Sequence, residues 1–227
     1  LIIISIFLLA SCSRKKDNFI SRSWHSVGTE YNILYNGNLA LEQGKQSVVN
    51  EYVDNYWEVL PIERMQVTDD IMFPGESKNE SFERAEEKAV KAIQRHSMNI
   101  KGKEKNPQID DAYILLGKAR YYDQRFVPAL EAFNYILFKY PSSDQINQAK
   151  IWREKANIRL ENNELALENL TRLLEQEDIE KQDLADASSI LAQAYINLEE
   201  VDSAIAQLDI AAQETKRNEE RGRYRFI

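Results

Sequence analysis

One thiol, two histidines and two pairs of adjacent aspartates are the side chains of this 227-residue chain that could do chemistry. Asp110-Asp111 could share a proton as paired carboxylates. Both, however, stand where a helical pattern begins, and there negative charge favours the helix dipole and satisfies free N–H groups. Asp69-Asp70 falls in a stretch with two prolines and no visible partner. His25 and His96 have no Cys, Asp or His at metal-ligand spacing, so they read as surface or core residues. Tyr121-Tyr122 and the run from Tyr52 to Trp57 could form an aromatic box, but at helical spacing such residues read as core. No Gly-rich phosphate loop, nucleophile elbow or zinc-binding helix motif occurs in the sequence. A net charge of -8, with Lys and Arg interleaved among Asp and Glu, excludes a phosphate-binding surface for nucleic acid. The residues point to binding without catalysis: no enzyme, metal, cofactor or small-molecule substrate is expected.

The elements that would position a binding surface are helices. Seven Gly and five Pro, against abundant Ala, Leu, Glu, Lys, Gln and Arg, predict an all-α chain. From Asp110 to Ser143, Tyr113, Leu116 and Gly117 are followed by Ala129, Phe133, Ile136 and Pro141. The first three share one face of a helix, and the next three form the apolar stripe of a second. Small residues at 117 and 129 let two helices approach within about 8–10 Å. The Ala129, Phe133, Ile136 triplet recurs 37 residues on as Ala166, Leu170, Leu173, and 38 further on as Ala204, Leu208, Ala211. The last unit also has Leu191, Ala192 and Tyr195 on its first helix. In the middle unit Arg153 and Glu154 take positions that suit apolar and small residues, which predicts a shifted register with Trp152 and Ala156 facing inward. The pattern resembles the tetratricopeptide repeat, with Arg120 where that family has Tyr. The resemblance implies a tetratricopeptide-type solenoid of helical hairpins, an α-α superhelix.

In that family fixed positions of each first helix line a concave groove that holds partner peptides. The resemblance therefore implies a groove lined by Asp111, Ile114, Lys118, Tyr121 and Tyr122 of the first unit. The third contributes Asp186, Ser189, Gln193, Ile196 and Asn197, and the second Ile151, Lys155 and Arg159. Ahead of these units the pattern is degenerate. Trp24 to Tyr35 and Leu39 to Tyr56 read as a helix pair, with Ala40 as the small residue and Asn36-Gly37-Asn38 as the reversal between them. Leu60-Pro61 to Gly75 reads as an extended connector, Ser81 to Ser97 as a helix, and Lys101 to Pro107 as a polar loop.

The front end carries the last signal. Leu1 to Ala10 is apolar apart from Ser5, too short to span a bilayer but suited to the core of a secretion signal. Leu9-Ala10-Ser11-Cys12 closes it and resembles the lipobox of bacterial lipoproteins, which implies covalent lipid on Cys12 and a membrane anchor. Ser13-Arg14-Lys15-Lys16 follows, without the acidic residues that in such families direct a lipoprotein elsewhere, so the resemblance implies the periplasmic face of the outer membrane. Asp202-Ser203-Ala204 resembles an O-glycosylation acceptor of Bacteroidota, and also reads as an ordinary helix start.

The stretch Tyr31 to Asn38, with Ala40 beyond it and Tyr56-Trp57-Glu58-Val59-Leu60-Pro61 downstream, resembles the opening of the SprE/PorW lipoproteins. These are tetratricopeptide proteins of Bacteroidota associated with type IX secretion and gliding motility. The resemblance implies a scaffold whose partners are proteins of the envelope secretion complex. The organisation expected is a truncated signal peptide over 1–11 and a lipid-anchored tether over 12–20. Degenerate helical repeats over 21–104 follow, with a connector at 60–80. Three repeats over 105–218 and the start of a further helix at 219–227 complete the chain, both of whose ends look cut. Two alternatives stay open: a lipoprotein resembling the BamD family of β-barrel assembly factors, and the repeat region of a larger envelope enzyme.

Overall fold

Asn18 and Asn79 each present a side-chain oxygen to a backbone N–H two or three residues on, and a helix begins after each. The computed structural model describes residues 14, 15, 17–67 and 79–227. In chain order it runs α1 (Phe19–Val27), a π-helical stretch (Gly28–Leu34), α2 (Tyr35–Glu51), α3 (Glu80–His96), a small hairpin of β1 (Asn99–Ile100) and β2 (Lys103–Glu104), and α4 (Ile109–Tyr122). Then come α5 (Phe126–Lys139), α6 (Ile146–Arg159), α7 (Asn163–Leu174), α8 (Lys181–Asn197), α9 (Val201–Glu214) and α10 (Asn218–Phe226). The fold is all-α. The two strands pair antiparallel around Lys101 and Gly102, both at positive φ, and are the one departure from helix and loop among the described residues.

Successive helices pack on one another from α2 onward, and α2, α4, α6 and α8 also touch one after another. They form an inner row, with α5, α7 and α9 outside it. Small side chains set the spacing, because a helix pair closes only where nothing larger stands between the backbones. Ala129, Ala166 and Ala204 are all buried, as are Phe133, Leu170 and Leu208 one turn on. A Cβ on Gly117 would stand 2.5 Å from Cζ of Phe133, so that ring lies directly on the α4 backbone. Burying such a ring contributes about 1.5–3 kcal/mol. The turns repeat as well. Gln124, Glu161 and Glu199, each just after the first helix of its hairpin, have φ of 62°, 64° and 62°.

In the middle hairpin Trp152 and Ala156 join the core, as the shifted register predicts. Glu154, in the small-residue place, is buried with one oxygen bonded to Arg153 at 2.5 Å and the other to Asn157 at 2.7 Å. Arg120 earns its position too: its guanidinium bonds Glu86 of α3 at 2.8 Å and the Pro128 carbonyl at 3.2 Å.

Three expectations for the front end need correction. Asn36-Gly37-Asn38 is not a reversal; the helix continues from Phe19 to Glu51 through it. Gly37 is buried, and a Cβ there would stand 2.5 Å from Leu115 and 3.1 Å from Lys88, so the glycine serves close approach to α3 and α4. Second, α2 stops at Glu51, short of Tyr56. Asn55 accepts the Trp57 N–H at 3.2 Å, a local bond that competes with the helical ladder. Third, the Tyr52 to Trp57 run is not core: Trp57 is 96% exposed. The signal stretch and Cys12, and residues 68–78 of the connector with Asp69-Asp70, lie outside the described residues.

Candidate functional site

Residues 52–67 form neither helix nor strand, and they cross the inner row of helices as a strap. Pro61 keeps Leu60 out of the helical region and removes one N–H from the ladder. Leu60, Ile62 and Met65 are buried, Met65 in the main core and Ile62 in a separate cluster with Ala192, Leu208 and Tyr224. The strap is thus held at three apolar positions, and the acid between Ile62 and Met65 is drawn inward.

That acid is Glu63. Lys155 of α6 donates to Oε1 at 2.6 Å, while Tyr121 of α4 and Arg159 of α6 donate to Oε2 at 2.8 and 3.1 Å. Arg159 also donates to the Tyr121 hydroxyl at 2.9 Å, which closes the network. Burial alone would raise the Glu63 pKa, but Lys155 and Arg159 together with these hydrogen bonds outweigh it and hold the group at about 2. Burial raises the Tyr121 hydroxyl well above its ordinary value, and the adjacent Glu63 charge adds to that. Further along, Gln193 of α8 accepts the Ile62 N–H at 2.8 Å. Arg223 of α10 donates to the Pro61 and Ile62 carbonyls and to Asp54, fastening the strap's other edge.

Beside the strap remains an open cleft of about 590 Å³, walled by α2, the strap, α4, α6, α8 and the start of α10. Lys118 projects from α4 into it. Among the described residues its ammonium has no ion pair or hydrogen bond, and it rests 4.9 Å from the centre of the Trp152 ring. Burial, then repulsion from Lys45 and Lys155, pulls its pKa down to about 8. Lys155 shares the same ring at 4.3 Å, a cation–π contact on top of its bond to Glu63.

The expected groove residues divide into three groups. Tyr121, Lys155, Arg159 and Gln193 hold the strap, and Ile196 packs in the cluster that receives Ile62. Lys118, Tyr122 and Ile151 face the open cleft with Lys155, as do Asp186 and Ser189. Asp111, Ile114 and Asn197 do neither. Ile114 is buried, and Asn197 is exposed and bonds Asn163 at 2.9 Å. Asp111 lies in the first turn of α4, where burial and then Asp110 and Asp144 raise its pKa to about 6. Asp110 itself accepts the Asp111 N–H and the Ser143 hydroxyl, at 3.0 and 2.6 Å. Ser203 stands in the first turn of α9, bonded to Glu200 at 3.3 Å.

Two features were not anticipated. The strap's place across the helices is one; Ile62-Glu63-Arg64-Met65 after a proline marks an extended segment with a lone acid, but no signal in the sequence pairs that acid with α6. The other is the histidine pair. His25 and His96, 71 residues apart, meet with their Nδ1 atoms 3.3 Å apart. Burial and then His25 lower the His96 pKa. Asn106 ties the region together, donating to the His96 carbonyl at 3.0 Å and to Thr29 at 3.1 Å. Among the described residues no group of three or more His, Cys, Asp or Glu is placed to hold a metal. The sequence matches no model of a known protein family and no curated protein.

Proposed function

We propose that the chain is the anchored, protein-binding part of an envelope lipoprotein of the SprE/PorW type. In this reading its helical hairpins are a tetratricopeptide-type solenoid, and Cys12 carries lipid that holds it at the periplasmic face of the outer membrane. The cleft then binds components of the type IX secretion and gliding machinery, with no catalytic step. One observation carries the binding role. Side chains of three successive inner helices, Tyr121, Lys155 with Arg159, and Gln193, already hold an extended stretch of chain by a carboxylate and a backbone N–H. Recognition of extended segments by such alternating contacts is an established mode of peptide binding. The repeated alanines and the left-handed residues at Gln124, Glu161 and Glu199 support the repeat reading.

The test is photo-crosslinking from position 189, on the cleft wall, in the intact lipoprotein within its own envelope. Crosslinks to a secretion-complex component that disappear in Lys118→Glu support the proposal. Crosslinks to β-barrel assembly proteins, or crosslinks indifferent to Lys118→Glu, would overturn it. In the same cells Cys12→Ala must release the protein from the membrane fraction; unchanged sedimentation removes the anchor from the reading.

A further inference from the structure

The long front helix buries one side, and the side it leaves outside is the apolar one. Ser21, His25, Thr29, Ile33 and Gly37 are buried, in steps of four, where the helix meets its neighbours. On the opposite side Ile20, Trp24, Val27, Tyr31, Tyr35 and Leu39 also follow one another in steps of three and four. Their exposure runs from 48% at Leu39 to 72% at Ile20. In an α-helix a step of four overshoots a full turn by about 40°, so a line of such residues would wind off the face. The stretch Gly28–Leu34 prevents this. Its π-type bond, from the Tyr35 N–H to the Glu30 carbonyl, marks a wider turn that takes back the overshoot. Six large side chains therefore stay aligned over four to five turns.

Their composition and setting say what covers them. Trp and Tyr, amphipathic rings with one polar atom, are the residues that settle at a membrane–water boundary. The stripe starts in a basic neighbourhood of an acidic protein: residues 14–27 hold four Lys or Arg and one Asp, against a net charge of -8 for the chain. Arg14 donates to the Gln94 carbonyl of α3, Arg22 pairs with Asp17 at 2.7 Å, and Lys105, just after β2, lies 3.5 Å from the same carboxylate. Phe19 is seven residues from Cys12, at most about 25 Å of chain.

We infer that the outward side of the front helix lies on the bilayer, with its aromatic stripe in the headgroup boundary and the neighbouring cations on anionic lipid. Association of this kind grows with buried apolar area and with attraction to anionic headgroups. The lipid on Cys12 enters the inference only as proximity, and for that it rests on the proposal above. The surface then fixes an orientation: α1 and the start of α2 lie against the membrane, and α4, α6 and α8 follow α2 away from it.

The experiment uses the full chain with Cys12→Ser, which isolates the stripe from any acyl anchor, and Trp57→Phe, which removes the other exposed indole. It is mixed with vesicles of phosphatidylethanolamine and phosphatidylglycerol, some with brominated acyl chains. Trp24 fluorescence should be quenched by bromine, and sedimentation with vesicles should weaken with added salt. Trp24→Ser with Tyr31→Ser should lower the partition at least about tenfold while the circular dichroism stays the same. Unquenched emission, or equal partition of the stripe variant, overturns the inference. So does a stripe that alters the mass in analytical ultracentrifugation without touching vesicles, because a second copy would then be its occupant. Vesicle binding that persists when the native protein proves unacylated sinks the anchor reading and leaves this one standing.

Discussion

Replacing Glu63 by Gln keeps the shape of the strap and removes its charge, so it isolates what the carboxylate contributes. Its pKa falls from an ordinary 4.5 to about 2 in the folded protein. A depression of that size corresponds to about 3 kcal/mol at neutral pH. The side chain is 16% exposed and its partners Lys155 and Arg159 15% and 20%, so some screening by water brings the expected loss to about 2–3 kcal/mol. The sign follows from the direction of the shift. A carboxylate with a depressed pKa stabilises the fold fully above its unfolded value, and that contribution drains away as pH falls from 4.5 through about 2. Urea titration of Glu63→Gln and the parent should therefore differ most near neutrality, and by roughly 1 kcal/mol near pH 3. Limited proteolysis should show cleavage within residues 52–67 of the variant before any cut in the helices. Equal midpoints at neutral pH, or a difference of the same size in acid, would mean that Glu63 does not fasten the strap by charge.

Four other substitutions probe the same framework. Gly117→Leu places a side chain where Phe133 lies, and should lower the urea midpoint by an amount equal to about 1–3 kcal/mol. Asp111→Asn removes a carboxyl whose pKa is raised to about 6. It should stabilise by up to about 3 kcal/mol above that pH, with the gain vanishing as pH falls below 3.8, which thermal melts at two pH values will show. Glu161→Gly relieves a non-glycine residue at φ 64° and should raise the melting temperature by an amount equal to about 0.5–1 kcal/mol. Lys118→Met removes a cation with its pKa depressed to about 8. It should stabilise by about 1–3 kcal/mol at neutral pH, a gain that fades as pH rises from 8 towards 10.5.

What the sequence made legible depends on the range of the contacts involved. The hairpins after residue 105 could be read because Gly117, Ala129, Phe133 and their counterparts act within about forty residues and repeat. Even the middle hairpin, where Glu154 stands in a small residue's place, could be read from Trp152 and Ala156. The front end could not. Asn36-Gly37-Asn38 has the local chemistry of a turn, and only Leu115 and Lys88, on helices far along the chain, make Gly37 a site of close approach. The same holds for the candidate site. Lys118, Tyr121 and Tyr122 of α4 lie close to Lys155 and Arg159 of α6. Their first ligand, however, is the strap, and nothing short of the fold relates Glu63 to Lys155, 92 residues away. The two histidines illustrate the limit most simply, since spacing in the chain says nothing about a pair formed across it.

The strap and Lys118 together define what the cleft can offer a ligand. Glu63 takes up Lys155 and Arg159, so an anion aimed at those two cations would compete against a segment of the same chain. Such competition weakens apparent affinity by the fraction of molecules whose strap is open. Lys118 is different. It stands in the open cleft, its charge disfavoured by burial and by Lys45 and Lys155, and the strap's carboxylate is spent elsewhere. A cation in that state lowers stability, and its contact with Trp152 and the attraction of Asp186 and Glu42 offset only part of the cost. An anionic group entering the cleft would reverse the balance without disturbing the strap. By linkage, whatever restores the Lys118 charge must bind more tightly as pH falls towards 8 and below, and must raise the melting temperature as it binds. Stability and binding should thus respond in opposite directions to Lys118→Met, whereas a purely structural lysine would move both the same way.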